Sequence, residues 1–136
     1  MLRFVIGYIA TLLTFCVLDF IWRGWVAKGF YQSQIGALLL AQPNWVAAVL
    51  FYAIFAIGIQ IFCVAPALEA DAFSKVVISG AVFGFFCYMT YDLRNLATLK
   101  GWATSLSMVD ILWGTFITSV AASAGYVAAH AFARSA

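Results

Sequence analysis

Apolar and polar positions divide this chain on two scales. On the long scale, four apolar runs at residues 4–22, 45–65, 76–92 and 106–129 are parted by shorter, more polar stretches. A helix crossing a bilayer needs about 20 predominantly apolar residues, and backbone groups in lipid have to be satisfied within their own segment. The pattern predicts an all-α membrane protein, with four transmembrane helices in an antiparallel bundle and a single domain over residues 1–136. The third run is the shortest, so it has to cross with little tilt or place Asp92 at the interface. The opening Met1-Leu2-Arg3 and the run behind it superficially resemble a signal peptide. No small-x-small cleavage site follows, and Asp19 interrupts the region after the run, so a retained first helix is expected.

On the short scale the connections differ. Residues 23–44 are only partly polar: Ile35, Leu38 and Leu39 fall at i, i+3 and i+4, behind Phe30 and Tyr31. That spacing predicts a short amphipathic helix lying in the interface between helices 1 and 2. Gly24, Gly29 and Gly36 permit bends around it, and Pro43 suits the entry to the second span. Residues 66–75, with Glu69, Asp71 and Lys75, read as a solvated turn. Inside the runs, Gly80 and Gly84 make a GxxxG, and Gly114, Thr118, Ala121, Ala122 and Gly125 make a small-residue stripe. Such stripes let helix backbones approach closely, and packing accounts for them. Phe51, Phe55 and Phe62 are left to face lipid or fill a groove.

Composition confirms the class and removes several functions. Hydrophobic residues make up 66% of the chain and charged residues 9%, against about 25% charged in a soluble domain. A net charge of +2, scattered along the chain, gives no footprint for nucleic acid. The three cysteines, Cys16, Cys63 and Cys87, lie in apolar runs without CxxC spacing and read as small buried side chains. The lone His130 falls at the far end of the fourth helix, away from the aspartates. That argues against a bis-histidine haem, a histidine-bound metal and a Ser/His/Asp triad. Gly-rich phosphate loops, nucleophile elbows and HExxH are absent, so no metal or cofactor is expected.

Candidate chemistry collects at one end. Antiparallel spans bring the end of helix 1, the start of helix 2, the end of helix 3 and the start of helix 4 to one face. Asp19, Asp92 and Asp110 then lie at similar depth, with all five tryptophans (Trp22, Trp25, Trp45, Trp102, Trp113) at the same face. Aromatic belts and snorkelling arginines explain part of this, but belts normally mark both interfaces. An aspartate at a helix centre costs about 2.5–3.5 kcal/mol on insertion scales, and its side chain is too short to snorkel far. Asp19-x-x-Trp22 and Asp110-x-x-Trp113 repeat one tetrad, each with both side chains on one helix face. Arg23 stands at i+4 from Asp19, and Tyr88, Tyr91, Asp92 and Asn95 share a face of the third helix. These residues, with Arg94, form the candidate site: Asp19, Asp92 and Asp110 as acid/base or headgroup groups, and Trp22, Arg23, Tyr88, Tyr91, Arg94, Asn95 and Trp113 as binding groups. A purely structural ion-pair network is the competing explanation. Helices 1 and 3 also end alike, Phe15-Cys16-x-x-Asp19 against Phe86-Cys87 and Asp92, which raises a two-plus-two duplication. The basic residues divide almost evenly between the faces and leave orientation open.

Leu18-Asp19-Phe20-x-Trp22, Phe51-Tyr52, Thr90-Tyr91-Asp92-Leu93-x-Asn95-x-Ala97-Thr98 and Asp110-x-x-Trp113-Gly114 resemble a family of small four-helix bacterial membrane proteins of unknown function. The resemblance covers nearly the whole chain, and the Tyr-Asp-Leu-x-Asn block is its most specific part. Arg94 stands where the family usually has a small polar residue, which alters the charge at the site. The resemblance implies the four-helix fold and a multi-pass address in the bacterial inner membrane, and it implies no activity. Three functional classes follow from the residues. One is a site that binds or processes a lipid-like or amphiphilic small molecule. Another is a small proton-coupled transporter acting as a homo-oligomer, which the sparse polar groups across the spans disfavour. The third is an accessory subunit of a larger membrane complex.

Overall fold

A computed structural model describes residues 1–40 and 42–135. Four helices are long and apolar enough to cross a membrane: α1 (Leu2–Val26), α3 (Trp45–Ala70), α4 (Phe73–Thr98) and α5 (Thr104–Ser135). They pack antiparallel. A short helix, α2 (Lys28–Ile35), continues into one 3-10 turn and links the first two. The helices outrun the apolar windows. α1 passes Trp22 by a π turn over Trp22–Val26, closed by the Ala27 N–H on the Trp22 carbonyl at 2.7 Å. α4 is 26 residues long, so Asp92 lies within the helix and not at its margin. The stretch read as a turn from residue 66 is helical to Ala70, and the chain reverses at Asp71 in the left-handed region (φ 50°). Pro66 lacks an N–H and crowds the carbonyl four residues back; a π turn over Gln60–Val64 precedes it and absorbs the misfit. Asn44 caps α3, its side-chain oxygen accepting from the Ala47 N–H at 3.1 Å.

The bundle is organised on two ladders of buried residues spaced by four. On α1 they are Gly7, Thr11, Phe15 and Asp19. On α4 they are Val76, Gly80, Gly84, Tyr88 and Asp92. A step of four residues keeps one stripe of an α-helix on its neighbour, and both stripes run against α5. The small-residue stripes are the contact itself. A Cβ on Gly80 would meet Ser119 and Ala122, and one on Gly84 would collide with the Gly114 carbonyl oxygen. One on Gly114 would collide with the Tyr88 ring, so Tyr88 packs directly on the α5 backbone. Gly125 does the same for α1, with Thr11 against it. This register carries Asp92, one turn beyond Tyr88, to Asp110, one turn before Gly114. The ladders pair Asp19 with Asp92 and Phe15 with Tyr88, so the Phe-Cys likeness between helices 1 and 3 is not the structural correspondence.

α3 is held differently. Its later half packs through Ile59, Cys63 and Val64 into the core. Its first half leans on α1, where Phe15 meets Phe51, Tyr52 and Phe55 edge-on, and diverges from α4. A cleft between α3 and α4 therefore widens toward the tryptophan-rich end.

Candidate functional site

Asp19 and Asp110 are 2% and 3% exposed, and Asp92 is fully buried. Each carboxyl owes its burial to the ladder or helix face that carries it, and the three form two groups. Asp19 is saturated. The Tyr52 hydroxyl donates to its Oδ2 at 2.5 Å, the Trp113 indole N–H to its Oδ1 at 3.3 Å, and the Arg23 Nε stands 3.3 Å from Oδ2. The two Asp-x-x-Trp tetrads are crossed: Trp113 of the second serves the aspartate of the first. Trp22 of the first donates to the Tyr31 hydroxyl at 3.1 Å, and Tyr31 donates to Asp110 Oδ1 at 2.8 Å. The two indoles stack with centroids 4.4 Å apart, fixing both relays at once.

Asp92 is the opposite case. Neither of its carboxyl oxygens has a hydrogen-bond partner, and the polar group it faces at bonding range is the Asp110 carboxyl. Two acceptors are reconciled only by something between or beside them that carries a hydrogen or a positive charge. Among the described residues, no three His, Cys, Asp or Glu side chains converge as metal ligands.

Two cavities meet at this end. The larger, about 690 Å³, is the cleft between α3 and α4; its walls are Phe51 and Phe55 on one side and Phe83, Phe86 and Cys87 on the other. Phe83 stacks between Phe55 and Phe62, with centroids 5.6 and 5.5 Å away, and closes the bottom. Phe51, Phe86 and Tyr91 are exposed at its mouth, which opens sideways where lipid would lie. The smaller cavity, about 170 Å³, lies under α2 and is walled by Lys28, Tyr31, Gln32, Ile35, Trp102 and Leu106. Arg23, Tyr91 and Asp110 belong to both. α2 is tied over the smaller cavity by the Tyr31–Asp110 bond and by Ser105 donating to Gln34 at 2.6 Å. Burial and the Asp110 carboxylate push the Tyr31 phenol well above the usual tyrosine range, so it remains a donor to Asp110.

Of the residues expected from sequence, Arg23 and Trp113 bond Asp19, Trp22 reaches Asp110 through Tyr31, the two sets meet in the Trp22–Trp113 stack, and Asp92 faces Asp110. Tyr88 and Tyr91 line the larger cavity. Arg94 lies exposed and Asn95 one turn past Tyr91, and neither lines either of these two cavities. Tyr31, Tyr52 and Lys28 were not among the expected site residues. Ala27, Tyr31 and Ile35 step by four, and that spacing would have put Tyr31 on the inward face of α2. Tyr52 sits in an otherwise apolar run, where a hydroxyl needs a partner, but nothing in its neighbours says which.

The sequence profile of the family described as "Predicted membrane protein (DUF2177)" matches residues 4–127, and the chain belongs to that family. Neither the curated proteins nor the solved structures hold a match.

Proposed function

We propose that this multi-pass membrane protein binds or processes a lipid-like amphiphile, its apolar chain in the cleft between α3 and α4 and its polar end at Arg23, Tyr91 and Asp110. The observation that carries this reading is the junction of the two cavities: a phenylalanine-walled cleft open to the bilayer runs into a charged pocket. Ligand sites are commonly concave, mostly apolar and supplied with a few convergent polar groups. The volume of about 690 Å³ lies within the roughly 300–1,000 Å³ usual for such sites. A bacterial inner membrane is the setting proposed, where such amphiphiles are abundant.

Passage through the bundle is supported less well. Phe15 is the ladder rung between Asp19 and Thr11, and Thr11 is already engaged by the Gln60 amide at 2.8 Å. Buried Ile59 and Ile117 close the core around that rung. A proton-coupled route would have to pass this apolar layer.

The test fills the cleft. Thr90 is exposed, lines the larger cavity and bonds only its own helix, to the Phe86 carbonyl at 2.7 Å. Thr90→Trp should leave the melting temperature in detergent unchanged and strip co-purifying lipid from the protein in native mass spectrometry. Unchanged lipid retention by a folded Thr90→Trp protein would rule the cleft out as the binding site.

A further inference from the structure

The polar end of the site lacks hydrogen-bond donors on one side and acceptors on the other. On the acceptor side, fully buried Asp92 has no donor on either oxygen and faces Asp110, the member of the pair that lines both cavities. Asp110 accepts from Tyr31 at Oδ1, faces Asp92 at bonding range, and reaches both cavities. On the donor side, Arg23 meets Asp19 through Nε alone, its guanidinium lying over the Tyr31 ring at 5.7 Å. The Arg23 side chain is 54% exposed, so its remaining N–H groups are open to the junction. Lys28, on the rim of the smaller cavity, has no ion-pair partner among the described residues. Buried or half-buried charges persist where a partner completes them.

A simple anion would satisfy Arg23 and Lys28 and be repelled by the Asp110–Asp92 pair. A simple cation would do the reverse. A head carrying both charges satisfies both sides. We infer that the amphiphile bound here is zwitterionic, with an oxyanion held by Arg23 and Lys28 and a primary ammonium held by Asp110 in front of Asp92. The ammonium has to carry N–H donors, and a primary one carries the most, three, on the smallest group. A quaternary ammonium carries the charge and none of the hydrogens, and Asp110 lies in a confined corner. A phospholipid with a primary amine in its head has this chemistry, and so does the free amino-phosphate head. The inference rests on the amphiphile reading above.

Native mass spectrometry of the purified full chain decides it, using an equimolar mixture of dioleoyl phosphatidylethanolamine, phosphatidylcholine and phosphatidylglycerol. The three share their acyl chains, so the cleft contributes equally to each. A hydrogen bond to a charged group is worth about 1.5–3 kcal/mol, so the ethanolamine lipid should exceed each of the others by roughly tenfold or more. Asp110→Asn keeps an acceptor for Tyr31 and should abolish the preference. Lys28→Gln, at an exposed site with no internal bond to lose, should weaken all three lipids alike. Equal binding of the three lipids by the wild-type chain overturns the zwitterion inference and leaves the amphiphile reading standing. Phosphoethanolamine without a tail binding as tightly as the lipid does the reverse: the head recognition holds and the cleft reading falls. No adduct with any lipid or with phosphoethanolamine overturns both.

Discussion

Asp19 and Asp92 end corresponding ladders on α1 and α4, at one depth, and differ in almost every other respect. Asp19 receives a tyrosine, an indole and a guanidinium from three helices. Asp92 receives no donor from another side-chain type and faces a second carboxyl at bonding range, a pair that holds together by sharing a proton. The same residue at equivalent places is a clasp in one case and half of a carboxyl pair in the other. Burial alone therefore does not mark a functional carboxylate here; the count of donors does. A structural ion-pair network describes the Asp19 side well, whereas on the other side Asp110, in front of Asp92, lines both cavities and is where the proposed ligand would be held.

Mutations break this comparison in order of size. Asp19→Ala strands Tyr52, Trp113 and Arg23 around a buried hole. Removing one partner from a buried pair costs about 3–5 kcal/mol, and a large fall in melting temperature in detergent is expected. Tyr52→Phe removes one hydrogen bond to a charged acceptor and should cost about 1.5–3 kcal/mol by the same measurement. Alkaline pH acts on the relay beside it. The raised Tyr31 phenol means that its contribution is complete below the ordinary phenol range of about 10 and is lost as pH climbs above that toward the folded value. Tyr31→Phe should flatten this alkaline loss in a melting-temperature series. Asp92→Asn should be the smallest of all: no donor is lost, and the new amide can donate to Asp110, so the melting temperature holds or rises. A drop comparable to that of Asp19→Ala would erase the distinction between the two aspartates.

Sequence carried the frame of the molecule further than its site. Run length alone locates four spans, because lipid imposes a minimum apolar length. The convergence of Asp19, Asp92 and Asp110 at one end follows from antiparallel alternation, and the glycine stripes on α4 and α5 are the contact that sets their register. The split of the three carboxyls into two groups was not legible. It depends on Tyr52 and Tyr31, whose partners lie 33 and 79 residues away. The cleft was hidden for a different reason. In water a helix shows its packed face by hydrophobic periodicity, but in a bilayer the packed and lipid-facing sides of α3 are both apolar, so nothing in Phe51, Phe55 and their neighbours says that this half leans away from α4. Arg94 drew notice as a charge beside Asp92, yet on a helix it points a different way, and it lies exposed.

Photocrosslinking in nanodiscs that contain a phospholipid with a diazirine midway along one acyl chain tests whether such a chain enters between α3 and α4 with its head at Asp110. After irradiation, peptide mapping should find label concentrated on Phe51, Phe55, Phe83 and Phe86, and lost from them in Thr90→Trp. Label spread evenly over lipid-facing positions such as Val46, Ile54 and Leu112, with no excess in the cleft, would contradict it.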